Sequence, residues 1–293
     1  GHLHAEVGNF DQANDAIDAA RNKLAQTGDP AEPATGAWTF LRCGQTWSLQ
    51  GRRSEGAAAC RDAVAFARLA DEHEVEATSC MQLGLDAYRR GDNAAARPLF
   101  DDATRMARKA QNRATEALAL LQRSALETAP VKEPLLRTAI RMSNLAGALR
   151  IELMARQLWV DALWCTGKKE QAREEANAVS AEAARRSLRQ TVSIVELQAA
   201  CWAVEEGAWD IAAEHRRIAG EWGAASGAVP ERAYAAALDL VLALARHDHR
   251  AASASIEKLQ CEAKGYEERT FRELVSKAIE LASPDIAQRL SQL

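Results

Sequence analysis

Residues 83–103 read LGLDAYRRGDNAAARPLFDDA, the pattern of a helix, a tight Gly-Asp-Asn turn and a second helix. Gly84, Ala96 and Ala103 are small residues at the places where two packed helices would cross closely. Phe100 is a large residue on the same face, and we expect it to fill the space that the small residues leave. The stretch therefore predicts a pair of antiparallel helices with a close crossing.

The same pattern recurs along the chain with a regular period. Glycines that separate an apolar helical run from an alanine-rich one are Gly8, Gly51, Gly91, Gly167 and Gly207, which lie 43, 40, 76 and 40 residues apart. Because 76 is twice 38, we expect one degenerate repeat between the third and fourth turns. A further turn, His247–His249, begins 40 residues after the last glycine.

Small or apolar residues keep a constant distance from these turns. The residues five positions after each turn are Ala13, Gly56, Ala96, Ala172, Ala212 and Ala252. The residues seven positions further on are Ala20, Ala63, Ala103, Val179, Ala219 and Leu259. Two positions that recur six times indicate an array of helical repeats.

The repeat resembles a known family. The tetratricopeptide repeat has Leu-Gly in its first helix, a Gly-Asp or Gly-Asn turn, and then Ala, an aromatic residue and Ala in its second helix. This chain matches it at Leu83-Gly84, Gly91-Asp92, Ala96, Phe100 and Ala103. It departs from the pattern at Cys80, where an aromatic residue is expected, at Ala87, where Tyr is expected, and at Arg108, where Pro is expected.

That resemblance implies an all-α protein, a right-handed α-solenoid of about six antiparallel helix pairs. A period of about 40 residues, longer than that of the usual tetratricopeptide repeat, resembles the repeats in the sensor domains of large bacterial regulators, such as LuxR-type ATPase regulators and ATPase-linked nucleotidyl cyclases. We expect a partial repeat over residues 1–27, with its second helix at Phe10–Ala25, and tetratricopeptide-like repeats over residues 28–266. Capping helices are expected over residues 267–293, the last of them beginning at Ser283-Pro284-Asp285.

The degenerate repeat spans Asn112–Leu145. Its turn is predicted at Glu127–Pro134, because Pro130 disfavours helix and Pro134 suits the first position of the next one. Irregular repeats are places where a solenoid bends or where a ligand enters. Sequence drift at a tolerant position is the alternative.

Composition excludes several classes of protein. The 293 residues are 47% hydrophobic and 5% aromatic, and no run alternates as a β-strand would. A net charge of −4 gives no basic surface for nucleic acid as a whole. No run of about 18 apolar residues and no apolar leader occurs, so we expect a cytoplasmic chain with no membrane partner.

No catalytic or metal-binding constellation is evident. The six cysteines form no C-x-x-C pair, and buried free thiols in a reducing compartment are favoured over disulfides or a metal site. Histidines adjoin carboxylates at Glu72–Glu74, Glu214-His215 and His247–His249, but neighbours on a helix diverge by about 100° and the last cluster lacks further donors. Phosphate-loop, zinc-protease and nucleophile-elbow motifs are missing. We therefore predict a protein that is not an enzyme and uses no cofactor or metal.

The tetratricopeptide resemblance also implies where a ligand would bind, since the first helix of each pair lines a concave groove in that family. The groove positions carried over onto this sequence are Trp38, Leu41, Gln45, Met81, Leu85, Tyr88, Arg89, Gln157, Asp161, Trp164, Leu197, Glu205 and Tyr234. An apolar and aromatic surface with a few polar groups suits a peptide, a helix or a small organic ligand. The alternative is that these residues pack neighbouring repeats together.

Taken with the resemblance, these patterns predict a non-catalytic scaffold or sensor region of a larger bacterial signalling or transcription regulator. We expect the groove to bind a peptide or a segment of a protein partner. The alternative is a small-molecule effector-sensing domain, in which the degenerate repeat closes a pocket. A homo-oligomer formed through the ends of the array is a further expectation.

Overall fold

The computed structural model describes residues 33–50, 52–223, 229–262 and 269–282, together with Gln12, Asp15, Asp18 and Ala19. Within these residues the chain forms thirteen α-helices and no strand, which confirms the all-α class. The helices are α1 (Pro33–Leu49), α2 (Arg53–Ala70), α3 (His73–Arg89), α4 (Asn93–Lys109), α5 (Arg113–Ser124), α6 (Ala129–Leu145), α7 (Leu149–Cys165), α8 (Lys169–Arg185), α9 (Arg189–Glu205), α10 (Trp209–Gly223), α11 (Val229–Ala245), α12 (His249–Glu262) and α13 (Arg269–Leu281). The helix predicted at Phe10–Ala25 lies almost entirely outside the described residues, and the one predicted from Ser283 lies wholly outside them.

The helices begin at a constant interval, with one exception. Helices α1 to α5 begin at residues 33, 53, 73, 93 and 113, and α6 to α13 begin at residues 129, 149, 169, 189, 209, 229, 249 and 269. Successive starts are thus twenty positions apart, and a helix with its partner occupies twice that interval, which equals the spacing from Gly51 to Gly91 and from Gly167 to Gly207 in the sequence. The pair α5–α6 is shorter, because α5 has only 12 residues where most of the other helices have 17.

The regular turns share one backbone conformation. In the described part of the chain, the residues with positive φ are Asp71, Gly91, Gln111, Gly147, Gly167, Ser187, Gly207 and His247. After each of them the next amide donates to the carbonyl five positions back, as Asp92 does to Ala87 at 3.0 Å. This is the longer hydrogen bond of a Schellman motif, which satisfies carbonyls at the helix end. Glycine adopts the conformation freely, whereas other residues pay roughly 1–2 kcal/mol for it.

The small residues predicted to lie at helix crossings are buried. Ala96 and Ala103 have no exposed surface, and the same is true of Phe100. A Cβ atom placed on Gly84 would lie only 2.7 Å from Cε1 of Phe100, so α3 and α4 approach each other at this glycine. The described members of both recurring sets are buried in the other pairs too. The predicted close crossing is therefore confirmed.

The turn of the degenerate repeat differs from the prediction. Helix α6 begins at Ala129, so Pro130 lies in its first turn and Pro134 lies inside it. A first-turn proline costs little, because the amide it lacks would have had no acceptor in the helix. Pro134 removes one internal hydrogen bond, as Pro98 does in α4. The predicted turn at Glu127–Pro134 was wrong because Pro130 was interpreted as excluding helix and Pro134 as the first residue of the next helix, whereas the helix begins at Ala129 and includes both.

The chain divides into two compact units, residues 1–162 (unit 1) and residues 163–293 (unit 2). In unit 1 each of α1 to α5 packs against the next helix, and α1 also contacts α3 as α3 contacts α5. In unit 2 each of α8 to α11 packs against the next helix. In addition, α9 contacts α11, and α11 contacts α13. Contacts thus join the odd-numbered helices, which we call the first helices of the pairs. None of the described helices is long and apolar enough to cross a membrane.

Candidate functional site

The predicted groove residues occupy positions 6, 9, 13, 16 and 17 of the first helices, which together we call the first-helix face. In unit 1 most of this face is half-buried. The half-buried members there are Trp38, Gln45, Met81, Leu85, Gln157 and Asp161. Tyr88 is 40% exposed and Arg89 is exposed, so both project from the end of α3. Leu41 is the exception, since it lies in the core between α1 and α2.

On α1 an arginine that the sequence did not single out joins two members of this face. The guanidinium of Arg42 lies 5.8 Å from the ring centroid of Trp38 and donates to Oε1 of Gln45 at 3.0 Å. Arg42 is exposed. The spacing of four residues to Trp38 and three to Gln45 is the sequence signal that could have identified it, because such residues are neighbours on a helix.

The end of α3 presents a polar edge. Arg90 is paired with Asp86 one helical turn earlier. Arg89 makes no ion pair with any residue in the described part of the chain, and the exposed ring of Tyr88 lies beside it in sequence. The edge therefore carries a guanidinium and a phenol that remain available to a ligand.

In unit 2 the predicted residue Trp164 belongs to a closed cluster. Its ring stacks on Trp202 with centroids 4.4 Å apart and an interplanar angle of 7°, and its Nε1 donates to Oε2 of Glu205 at 2.8 Å. Nζ of Lys169 lies 4.5 Å from the Trp164 ring centroid, and Cζ of Arg173 lies 5.4 Å from it. Both indole rings are buried. Trp164 and Glu205 are thus brought together, but as a contact between helices.

A second acidic residue at the end of α9 anchors the cations of that cluster. Arg173 donates to both carboxylate oxygens of Glu206 at 2.6 Å, and Lys169 donates to Oε1 at 3.4 Å. Burial by itself raises the pKa of Glu206, but the hydrogen bonds from Arg173 and Lys169 outweigh it, so the pKa lies below its usual range. Glu206 is therefore an anion that fixes α8 to α9.

The remaining predicted residues of unit 2 are part of its core. Leu197 is only 5% exposed and belongs to one apolar cluster with Val204 and Val241. Tyr234 is half-buried against the same cluster. Except for Glu205, none of the predicted groove residues of unit 2 is an exposed side chain.

A buried polar network connects α8, α9 and α10. Oγ of Ser180 donates to Oε1 of Glu196 at 2.6 Å, and Nδ1 of His215 lies 2.7 Å from Oε2. Burial by itself raises the pKa of Glu196, but the hydrogen bonds from His215 and Ser180 lower it below its usual range. The carboxylate lies between Ser and His, so the histidine is not placed to take a proton from the serine as a nucleophile would require.

In unit 1, ion pairs connect the second helix of one helix pair to the first helix of the next. Nε of Arg68 in α2 donates to Oε1 of Glu76 in α3 at 2.7 Å, and Nε of Arg108 in α4 donates to Oε1 of Glu116 in α5 at 2.5 Å. In each pair the glutamate follows the arginine by eight positions, and the second pair lies one full repeat after the first. That arginine and glutamate recur together is a signal that the sequence analysis missed.

None of five cysteines in the described part of the chain forms a disulfide. Cys43, Cys60, Cys80 and Cys201 are buried, and Cys165 is exposed. Burial raises the pKa of both Cys60 and Cys80 to about 12. A thiol with that pKa is not a nucleophile at neutral pH. Among the described residues, no group of three or more His, Cys, Asp and Glu side chains could hold a metal ion.

Comparison with known proteins assigns the chain to no group. No protein-family model matches it, and no curated protein matches it significantly. What the chain binds must therefore be inferred from its own residues.

Proposed function

We propose that each unit is a stretch of tetratricopeptide-like, right-handed α-solenoid with a repeat of about 40 residues. The constant interval between helix starts supports this, as do the buried small residues at the crossings. Contacts between successive first helices also support it, because in such an array these helices share one side. The backbone conformation that the regular turns share is a further observation in its favour.

The chain serves as a non-catalytic binding region, either scaffold or sensor, of a larger bacterial signalling or transcription regulator. The observation that carries this proposal is the partly exposed first-helix face of unit 1. Half-buried Trp38, Met81 and Leu85 offer apolar surface, and exposed Tyr88 and Arg89 offer polar contacts. A peptide or protein segment matches such a face, since apolar side chains supply affinity and the polar groups fix its register.

A site-specific photo-crosslinker tests this proposal. It is introduced at Tyr88 of the first-helix face or, as the matched control, at Leu69, which is 76% exposed on the second helix α2. We expect irradiation in a lysate of the source cells to give one discrete protein adduct from position 88 and none from position 69. Adding an excess of the unlabelled chain should compete that adduct away.

Two results would contradict the proposal. An adduct from position 69 alone would place the interaction on the second helices. If neither position gave an adduct, a protein partner on this face would be excluded, and a small-molecule effector would become the better interpretation.

A further inference from the structure

The turn between α5 and α6, Ala125–Thr128, is closed differently from the other described turns. It contains no residue with positive φ. Instead, the amides of Ala125, Leu126 and Glu127 donate to carbonyls three positions back, at 3.1, 3.2 and 3.1 Å. The hydrogen bond that spans five residues in the regular turns is replaced by bonds that span three. The backbone alone therefore holds this turn less firmly.

Charged side chains supply what the backbone lacks. The carboxylate of Glu127 accepts hydrogen bonds from Arg97 of α4 and Arg123 of α5. Nε of Arg123 also donates to Oδ1 of Asp101 in α4 at 2.8 Å, and Nη2 of Arg97 reaches the carbonyl of Leu126 at 3.3 Å. The side chains of Glu127 and Arg123 are largely buried, so these pairs are stronger than those on an open surface.

An apolar contact accompanies the ionic one. The side chain of Leu126 packs against a cluster formed by Ala87 of α3 with Ala96 and Phe100 of α4, and Leu85 packs against the same cluster. The turn is thus held against the preceding pair by one leucine and one glutamate. On its other side α6 begins with Pro130 and Pro134, which supply no amide to the first two turns of that helix.

We propose that the segment Ser124–Pro134 is a latched hinge within unit 1, closed while Glu127 bridges Arg97 and Arg123 and open when that bridge is lost. Opening is a local event that leaves the packing of α3 on α4 intact. It releases Leu126 from the cluster that contains Leu85 and lets α6 change its angle to α5. This inference concerns the fold and does not depend on the proposed function.

The regular joint between α4 and α5 provides a matched comparison. There too a buried glutamate, Glu116, is paired with an arginine, Arg108, but the turn also has a left-handed residue at Gln111. Its backbone bond from Asn112 to Ala107, at 2.9 Å, closes the turn without the ion pair. Loss of the ion pair should therefore open the irregular turn and leave the regular one closed.

Hydrogen exchange measured by mass spectrometry on the whole chain tests the hinge. In Glu127→Gln we expect exchange of the amides in residues 125–135 to accelerate about tenfold, as local opening requires, with residues 73–109 unchanged. In the control Glu116→Gln, exchange at residues 110–112 should stay as in the wild type. Raising the ionic strength from about 0.1 M to about 1 M should accelerate residues 125–135 in the wild type and not in Glu127→Gln.

Arg97→Gln, a change at an exposed side chain, keeps the test decisive if Glu127→Gln does not fold. It removes the α4 half of the bridge and should give an intermediate acceleration confined to residues 125–135. Unchanged exchange in that segment of either variant would overturn the proposal. Acceleration spread evenly over unit 1 would overturn it as well, because the bridge would then support global stability and not a hinge.

Discussion

Position 13 of the first helices differs in burial between the two units. In unit 1 it is half-buried, at Gln45, Leu85 and Asp161. In unit 2 it is buried in α9 and α11, at Cys201 and Val241, and half-buried at Leu281, the last residue of α13. Apart from the turn between α5 and α6, the described turns and the interval between helix starts are the same in both. The repeat therefore sets which side of a helix a residue occupies, and the neighbours decide whether that side is surface or core.

The neighbours differ in a way that explains the contrast. In unit 2, α11 contacts α13 more extensively than α1 contacts α3 in unit 1, and Leu274 and Ala278 of α13 join the cluster that contains Val241. More than half of the residues of α9 are buried. On the first-helix face of unit 1, the residues that are buried at position 9 are limited to Leu41 and Leu121. The proposal of a ligand groove therefore applies to unit 1, because most of the same positions are used for packing in unit 2.

The largest expected effect tests this contrast with one substitution made in both units. Leu197→Ala removes a buried side chain and should lower the free energy of unfolding by roughly 2–5 kcal/mol. Leu85→Ala removes a half-buried side chain and should cost about 1 kcal/mol. Urea denaturation followed by circular dichroism measures both. Equal losses would break the contrast, since they would mean that the two faces are equally buried.

Much of the fold could be predicted from the sequence, because small residues and turn glycines report directly on close crossings and on left-handed backbone. The length of α5 could not. No glycine marks its end, and the prolines that follow are tolerated in the first turns of α6. Glu127 closes the turn by accepting hydrogen bonds from arginines of two helices. Because such a network does not recur at the repeat period, no sequence pattern indicates it.

The candidate site was predictable only in part. The positions of the first-helix face followed from the repeat, but its burial depends on contacts between helices of successive repeats. The stacking of Trp164 on Trp202 and the pairing of Glu196 with His215 are contacts between helices distant in the sequence. The stacking places Trp164, which was predicted to line the groove, in the core, and neither spacing nor composition distinguishes the two outcomes.

A smaller effect is expected from the glutamates that connect neighbouring helices in each unit. Glu196→Gln in unit 2 loses a carboxylate that accepts from two side chains in a buried site, and should cost roughly 1.5–3 kcal/mol. Glu76→Gln in unit 1 loses one ion pair to a largely exposed arginine and should cost about 0.5–1 kcal/mol. Thermal unfolding of the two variants compares the joints. A larger loss for Glu76→Gln would reverse this ranking.

Acidification gives an independent check on Glu196. Because the folded state lowers the pKa of this carboxyl, its contribution to stability is present above the ordinary value of about 4.3 and is lost as the pH falls through the lower folded value. The stability difference between the wild type and Glu196→Gln should therefore shrink between about pH 5 and about pH 3. A difference that stays constant over that range would show that the charge of Glu196 contributes nothing.

The smallest expected effect concerns the turns, which the two units share. Gln111→Gly in unit 1 and Ser187→Gly in unit 2 relieve left-handed backbone at φ values of 54° and 56°. Each should raise the free energy of unfolding by up to about 1 kcal/mol, because the gain in the turn is partly offset by greater freedom of the unfolded chain. Differential scanning calorimetry detects the shift. A gain in one unit and a loss in the other would mean that the turns are not equivalent.

Hydroxyl-radical footprinting of the native chain tests the central claim most directly, since Met, Trp and Tyr side chains on both faces are intrinsically reactive. We predict rapid oxidation of Tyr88 and Met81 on the first-helix face of unit 1, and slow oxidation of Trp164 and Trp202 in unit 2. That result would establish one face as surface and the other as core. Rapid oxidation of the two tryptophans together with protection of Met81 would contradict the account.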